Sequence, residues 1–151
     1  MKRERYIKMI NDYIIDICDI LDIDIPAVSY DTSHFTTETM MAQADVNNNI
    51  IYIRDRDNID NDYIFALAHE LRHIYQSITD KDYYFKNYKT SEACESVEEY
   101  NLQIAEIDAH AFAGLYMMIE FETKPLFKSL SDKVRNKIYK RIERLKGIYL
   151  D

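Results

Sequence analysis

Hydrophobic side chains recur at intervals of three and four residues along four stretches of the chain, and this period is that of an amphipathic helix. We predict helices at residues 1–25, 62–78, 97–119 and 131–149, with Pro26 closing the first of them. The apolar positions of the first three stretches are Ile7, Ile10, Ile14, Ile17 and Leu21, then Ile64, Leu67, Leu71, Ile74 and Ile78, then Val97, Tyr100, Ile104, Ile107, Ala111, Leu115 and Met118. Each helix is therefore expected to turn one apolar face toward a core.

The helical period disappears between the first two helices. Residues that favour β-structure cluster at Val28–Tyr30, Thr36–Ala42 and Ile50–Ile53, around the turn-prone run Asn47–Asn49. We predict a small, mostly antiparallel three-stranded sheet within residues 26–54.

Polar residues mark the ends of the later helices. Asp60 or Asn61 can cap the helix at 62–78, and Ser131 can cap the last helix. Residues 79–92 contain several tyrosines among lysines and aspartates without a clear period, which predicts a surface loop.

Length and composition define the fold class. A chain of 151 residues, 47% of them hydrophobic, is of a size and make-up typical of one folded domain. Two glycines and two prolines provide few residues for tight turns, which favours helices over an all-β barrel. We therefore expect residues 1–151 to form a single, mainly helical α+β domain.

The charge of the chain bears on its partners. The net charge of −8 argues against nucleic acid, because binding phosphates requires a concentrated basic surface. The charge is uneven, since residues 124–151 contain nine Lys/Arg and three Asp/Glu. The basic C-terminal helix is either a solvated surface or a docking element for an acidic partner.

The sequence also suggests a compartment. No stretch has the apolar length of a membrane span, and charges interrupt the N-terminal sequence MKRERYIKMINDY before a signal-peptide core can form. Cys18 and Cys94 lack the C-x-x-C spacing of a thiolate metal site and suggest no disulfide framework. We predict a cytoplasmic protein without a membrane partner.

The helix predicted at 62–78 contains the sequence HELRH, which matches the H-E-x-x-H metal motif. His69 and His73 are four residues apart and so project from one helix face, where both imidazoles can reach one zinc ion. Glu70 lies one step round the helix, where it can accept a proton from a metal-bound water. Arg72 is expected to be exposed or to pair with an acid, and His34 is expected at the surface.

A catalytic zinc ion commonly has three protein ligands, so one must come from another element. The helix predicted at 97–119 contains EIDAHAFA, in which Glu106 and His110 share one flank and Asp108 lies on the other. Glu106, His110 and Asp108 are the candidates in this helix, since carboxylate and imidazole both suit zinc. Asp108 can also orient a histidine ring or contact solvent.

These two segments together resemble the gluzincin metallopeptidases, in particular the minimal ImmA/IrrE-like enzymes and the metallopeptidases of phages and mobile elements. The resemblance covers roughly residues 40–119. In that pattern the second helix reads E-x-x-A-D/N-x-x-A, in which the glutamate binds zinc and the aspartate or asparagine supports the site. The resemblance implies a minimal zincin fold that binds one zinc ion.

Carried over position by position, the resemblance makes His69 and His73 ligands, Glu70 the general base and Glu106 the third ligand. This chain departs from the pattern at His110, which stands where the family has Asp or Asn. His110 is therefore a supporting residue, a hydrogen-bond donor to the transition state, or the ligand in place of Glu106.

The motif and the resemblance predict a zinc-dependent metallopeptidase that hydrolyses a protein or peptide. One alternative is a catalytically silent zinc-binding regulatory protein of phage or mobile-element type that docks through its basic helix. Another is a metal-free helical protein. The donor to a developing oxyanion stays open among His110 and the tyrosines Tyr75, Tyr83, Tyr84, Tyr88 and Tyr100.

Overall fold

The computed structural model describes residues 2–150, and within that range helices make up most of the chain. The elements are α1 (Lys2–Leu21), β1 (Ala27–Ser29), β2 (Ala42–Asp45), β3 (Ile50–Ile53), α2 (Asn61–Thr79), α3 (Lys81–Asn87), a 3₁₀ turn (Ser91–Ala93), α4 (Val97–Leu102), α5 (Ile104–Phe121) and α6 (Asp132–Tyr149). The prediction of a mainly helical α+β fold is confirmed. Among the described residues, no helix is both long enough and apolar enough to cross a bilayer.

The chain divides into two compact units, Met1–Tyr75 and Gln76–Asp151. The first contains α1, the sheet and most of α2. The second contains the last turn of α2 and the helices from α3 to α6.

The sheet of the first unit is mixed. Its strand order is β1-β3-β2, with β1 parallel and β2 antiparallel to the central strand β3. The expectation of a mostly antiparallel sheet is therefore wrong, because β3 inserts between the two earlier strands and runs alongside β1. β3 buries Ile51 and Ile53 completely, and the tight connection from β2 ends at Asn49 with a left-handed φ of 55°. β2 begins only at Ala42, so most of the strand expected at Thr36–Ala42 does not form.

The first two helices follow their sequence pattern closely. α1 ends at Leu21, four residues before the expected end at residue 25, and Asp22 follows with a φ of 55°. Asp60 caps α2, since its Oδ1 accepts a hydrogen bond from the Tyr63 backbone N–H at 2.9 Å. The fully buried Tyr63 donates its hydroxyl to the Arg54 carbonyl at 2.7 Å, which ties α2 to the end of β3.

The long helix expected at 97–119 is two helices, α4 and α5, and this part of the prediction is wrong. The break falls at Gln103, whose backbone is extended at φ −58° and ψ 141°. The Gln103 side chain makes two hydrogen bonds to the backbone of Lys89: its Oε1 accepts from the Lys89 N–H at 2.7 Å, and its Nε2 donates to the Lys89 carbonyl at 2.9 Å. A long-range contact therefore interrupts an otherwise continuous helical pattern, and Val97 and Ile104 of that pattern are exposed.

The loop expected at 79–92 contains the helix α3, which corrects a second part of the prediction. Tyr84 on α3 is buried and stacks on Tyr88 with ring centroids 5.0 Å apart. Ile78, expected on the buried face of α2, is exposed. Apolar residues in this region therefore do not all share one face, which is why a period is hard to detect.

α5 and α6 pack together in the second unit. Gly114 on α5 allows the side chains of Pro125 and Phe127, in the connection before α6, to lie against the helix. A Cβ atom at this position would be 3.1 Å from Pro125 Cγ and 3.2 Å from Phe127 Cζ. α6 buries one apolar stripe, and Ser131 caps its start as predicted, since the Ser131 hydroxyl accepts a hydrogen bond from the Val134 N–H.

Candidate metal centre

His69 and His73 bring their ring nitrogens together on one face of α2. Their Nε2 atoms are 3.2 Å apart, and their rings meet edge to face. Two nitrogen ligands at about 2.0–2.1 Å from a tetrahedral zinc ion lie about 3.3–3.4 Å from each other. The observed separation is therefore close to that of two histidines sharing one ion.

Glu70 completes a group of three potential ligands on α2. The ligand atoms of His69, Glu70 and His73 all lie within 4.8 Å of one another. Glu70 Oε2 is 3.9 Å from His69 Nε2, too far for a hydrogen bond. These three residues are positioned to hold a metal ion.

The backbone of β2 orients the Glu70 carboxylate. The Ala44 N–H donates to Glu70 Oε1 at 3.1 Å. β2 is an edge strand, so this N–H is available to a side chain. A backbone donor leaves no trace in the amino-acid sequence, and sequence reasoning missed Ala44 for this reason.

Arg72, between the two histidines, is buried. Its guanidinium carbon lies 4.3 Å from the centroid of the Tyr75 ring, within the range of a cation–π contact. Of the two expectations for Arg72, exposure or an ion pair with an acid, exposure is wrong. His34 is exposed as predicted and meets Tyr52 edge to face.

Glu106, in the second unit, is a buried carboxylate held by tyrosines. Tyr88 donates its hydroxyl to Glu106 Oε2 at 3.0 Å. Because that bond uses the Tyr88 proton, the 2.8 Å contact between the two tyrosine hydroxyls is a bond donated by Tyr100. Burial raises the pKa of Tyr88 far above its ordinary value, and Glu106 raises it further, so this hydroxyl keeps its proton. Sequence reasoning named both tyrosines only as members of a larger set.

His110 turns its ring back toward its own helix. Its Nδ1 is 2.8 Å from the Glu106 carbonyl oxygen, and since a carbonyl only accepts, Nδ1 carries the proton. The neutral ring then has its lone pair on Nε2. This is the tautomer in which Nε2 can bind a metal while the other nitrogen makes a supporting hydrogen bond.

Asp108 is buried, so the expectation that it contacts solvent is wrong. Its Oδ1 accepts from Arg141 Nε and its Oδ2 from Gln76 Nε2, each at 2.8 Å. Gln76 also donates to the Ala105 carbonyl at 2.9 Å. Asp108 thus links α5 to α6 and to the end of α2. Gln76 was missed, although its position three residues after His73 places it on the same side of α2.

Comparisons with protein-family models, curated proteins and solved structures find no match to this chain.

Proposed function

We propose that this protein is a zinc-dependent metallopeptidase of minimal zincin type, in which Glu70 is the general base. The observation that carries the proposal is the 3.2 Å separation of the His69 and His73 Nε2 atoms beside a carboxylate. Two imidazoles and a carboxylate suit zinc, so the chemistry of the donors fits the ion that the H-E-x-x-H motif implies.

A bound zinc ion would polarise a peptide carbonyl and lower the pKa of a bound water toward about 7. Glu70 is suited to take the proton from that water, because its Oε2 is not within hydrogen-bonding distance of His69. The Ala44 N–H orients the carboxylate through the other oxygen. Glu70 then returns the proton to the leaving amine.

We assign the third ligand position to Glu106. Tyr88 donates to its Oε2, which fixes the carboxylate in the way that hydrogen bonds commonly fix metal-binding carboxylates.

The two other candidates receive different roles. His110 remains the alternative ligand, since imidazole suits zinc as carboxylate does. Asp108 is a weaker candidate, because Arg141 and Gln76 already occupy both of its oxygens.

The experiment measures zinc and hydrolysis on the same preparations. Zinc is determined by elemental mass spectrometry, and cleavage by labelling new amino termini in a complex peptide mixture. We expect about one zinc ion per chain and cleavage by the wild type. Glu70→Gln is expected to keep zinc and to reduce cleavage by about 10²–10⁴-fold, the contribution of a general base. Glu38→Gln, at an exposed position, serves as the matched control.

Each other outcome counts against the proposal. Full cleavage by Glu70→Gln would remove Glu70 as the base. Zinc without cleavage by the wild type would favour the silent zinc-binding regulatory protein. No zinc in carefully purified protein would favour the metal-free helical protein.

A further inference from the structure

A groove with a volume of about 420 Å³ lies in the second unit, between α6 and the segment formed by α4 and α5. Its floor is aliphatic and consists of Leu102, Ile104 and Ile107. Its wall is formed by basic residues of α6, namely Lys137, Lys140, Arg141 and Arg144. We call this feature the basic groove; none of the residues assigned to the metal centre lines it.

The cations of the basic groove are not equivalent. Arg141 is bound to the buried Asp108. Within residues 2–150, no hydrogen bond or ion pair involves the side chains of Lys137, Lys140 or Arg144. These three occupy one face of α6 along about 10 Å of helix. The basic groove therefore presents three uncompensated positive charges beside an apolar floor.

The floor adds a second requirement for any ligand. Ile104 is 69% exposed, an unusual degree for an isoleucine at the first position of a helix that is otherwise mostly buried. Ile107 lies one turn further along and is nearly buried. A ligand that covers Ile104 would gain free energy from the apolar area removed from water.

We propose that the basic groove binds an acidic peptide segment of a partner protein, one that carries aliphatic side chains between its carboxylates. Charge complementarity supplies the acidic requirement, and the floor supplies the aliphatic one. About 10 Å of basic helix matches three or four residues of an extended peptide, or two turns of a helical one. The proposal does not depend on the proposed peptidase activity.

The same features disfavour nucleic acid as the ligand. None of the described residues that line the groove is aromatic, so bases have no ring there on which to stack. The net charge of −8 opposes the approach of a long polyanion, whereas a short peptide experiences mainly the local charge of the groove.

The test measures fluorescence anisotropy with a fluorescein-labelled peptide of sequence DELDELLDE and the full-length protein. We expect saturable binding in the micromolar range, and at least about tenfold weaker binding by Lys137→Glu/Arg144→Glu. The matched control is Lys124→Glu/Lys128→Glu, which makes the same change in net charge outside the groove and is expected to bind within twofold of the wild type.

A second pair of variants tests the apolar floor. Ile104→Ser is expected to weaken binding about threefold or more, while Ile119→Ser, an exposed isoleucine on α5 outside the groove, is expected to leave it unchanged. Replacing the leucines of the peptide with serine should weaken binding in parallel. Because both isoleucines are exposed, neither variant is expected to unfold the protein.

Several results would overturn the proposal. If Lys137→Glu/Arg144→Glu and Lys124→Glu/Lys128→Glu weakened peptide binding equally, the net charge of the protein and not the groove would attract the peptide. Undiminished binding of the serine peptide would remove the aliphatic requirement. If single-stranded DNA or anionic phospholipid vesicles displaced the labelled peptide more strongly than unlabelled peptide does, the ligand would be of that class instead. If the protein self-associated and Lys137→Glu/Arg144→Glu blocked the self-association, the ligand would be a second copy of the chain. No binding at millimolar peptide would refute it outright.

Discussion

Helices α2 and α5 both carry ionisable side chains, yet they keep them in different surroundings. The His69 and Glu70 side chains on α2 retain 14% and 19% of their accessible surface. Glu106 and Asp108 on α5 are 1% and 7% exposed. His69 and Glu70 are therefore partly open to water and to a ligand, whereas Glu106 and Asp108 are enclosed, as is His73 on α2 at 4% exposure.

The difference follows from the composition of the two helices. α2 is amphipathic and can direct polar groups away from its core, whereas α5 is buried from Glu106 to Met117 with few exceptions. A buried carboxylate is costly unless donors compensate it. Tyr88 supplies a donor to Glu106, and Arg141 and Gln76 supply donors to Asp108. His69 and Glu70 on α2 are therefore accessible, whereas donors hold Glu106 and Asp108 in place on α5.

The largest expected effect tests the proposed metal-binding role of α2. His73→Ala removes a proposed ligand, so its zinc content should fall to that of protein treated with a chelator. The measurement is zinc per chain by elemental mass spectrometry, with circular dichroism to verify folding. His34→Ala, at an exposed position, should retain zinc. Equal zinc in both variants would contradict the role of His73.

The next effect tests the holding role of α5. Asp108→Ala removes the acceptor of Arg141 Nε and one acceptor of Gln76, and it should lower the free energy of unfolding by about 2–3 kcal/mol, measured by urea denaturation. Asp12→Ala also removes an ion pair, to Lys8, but both partners are exposed and the loss should stay below about 0.5 kcal/mol. Similar losses in the two variants would mean that burial of Asp108 adds nothing.

A smaller effect connects α5 to the proposed metal. Tyr88→Phe removes the hydroxyl that holds Glu106 Oε2 and should weaken zinc binding about tenfold, measured by competition with a chromophoric chelator. Tyr83→Phe changes an exposed tyrosine on α3 and should leave the affinity unchanged. An unaltered affinity in Tyr88→Phe would separate this tyrosine from the metal centre.

The smallest effect concerns the start of α2. Asp60→Ala removes the side-chain cap and should reduce the free energy of unfolding by about 1 kcal/mol in thermal or urea unfolding. Asp60→Asn retains a capping oxygen and should lose much less. By contrast, the N-cap residue of α5, Gln103, makes no capping hydrogen bond with its side chain. If Asp60→Asn lowered the free energy of unfolding as much as Asp60→Ala does, the stabilisation would come from the negative charge of Asp60 and not from its capping hydrogen bond.

Much of the fold could be predicted because local rules were sufficient. The apolar stripe of α1, the strand β3 and the caps at Asp60 and Ser131 all depend on residues a few positions apart. The break at Gln103 could not be predicted, since it depends on a contact with Lys89 fourteen residues earlier. The mixed sheet was missed because strand order is a property of the whole unit.

For the candidate site, the sequence by itself determined the neighbourhood of His69, Glu70 and His73, because the helical repeat brings side chains four residues apart onto one face. Only the tertiary structure decided that the Ala44 N–H orients Glu70, across 26 residues of chain, and that Arg141 holds Asp108, across 33. The physical reason is that local periodicity orients side chains within a helix, whereas burial and hydrogen-bond partners depend on which distant segments pack beside it.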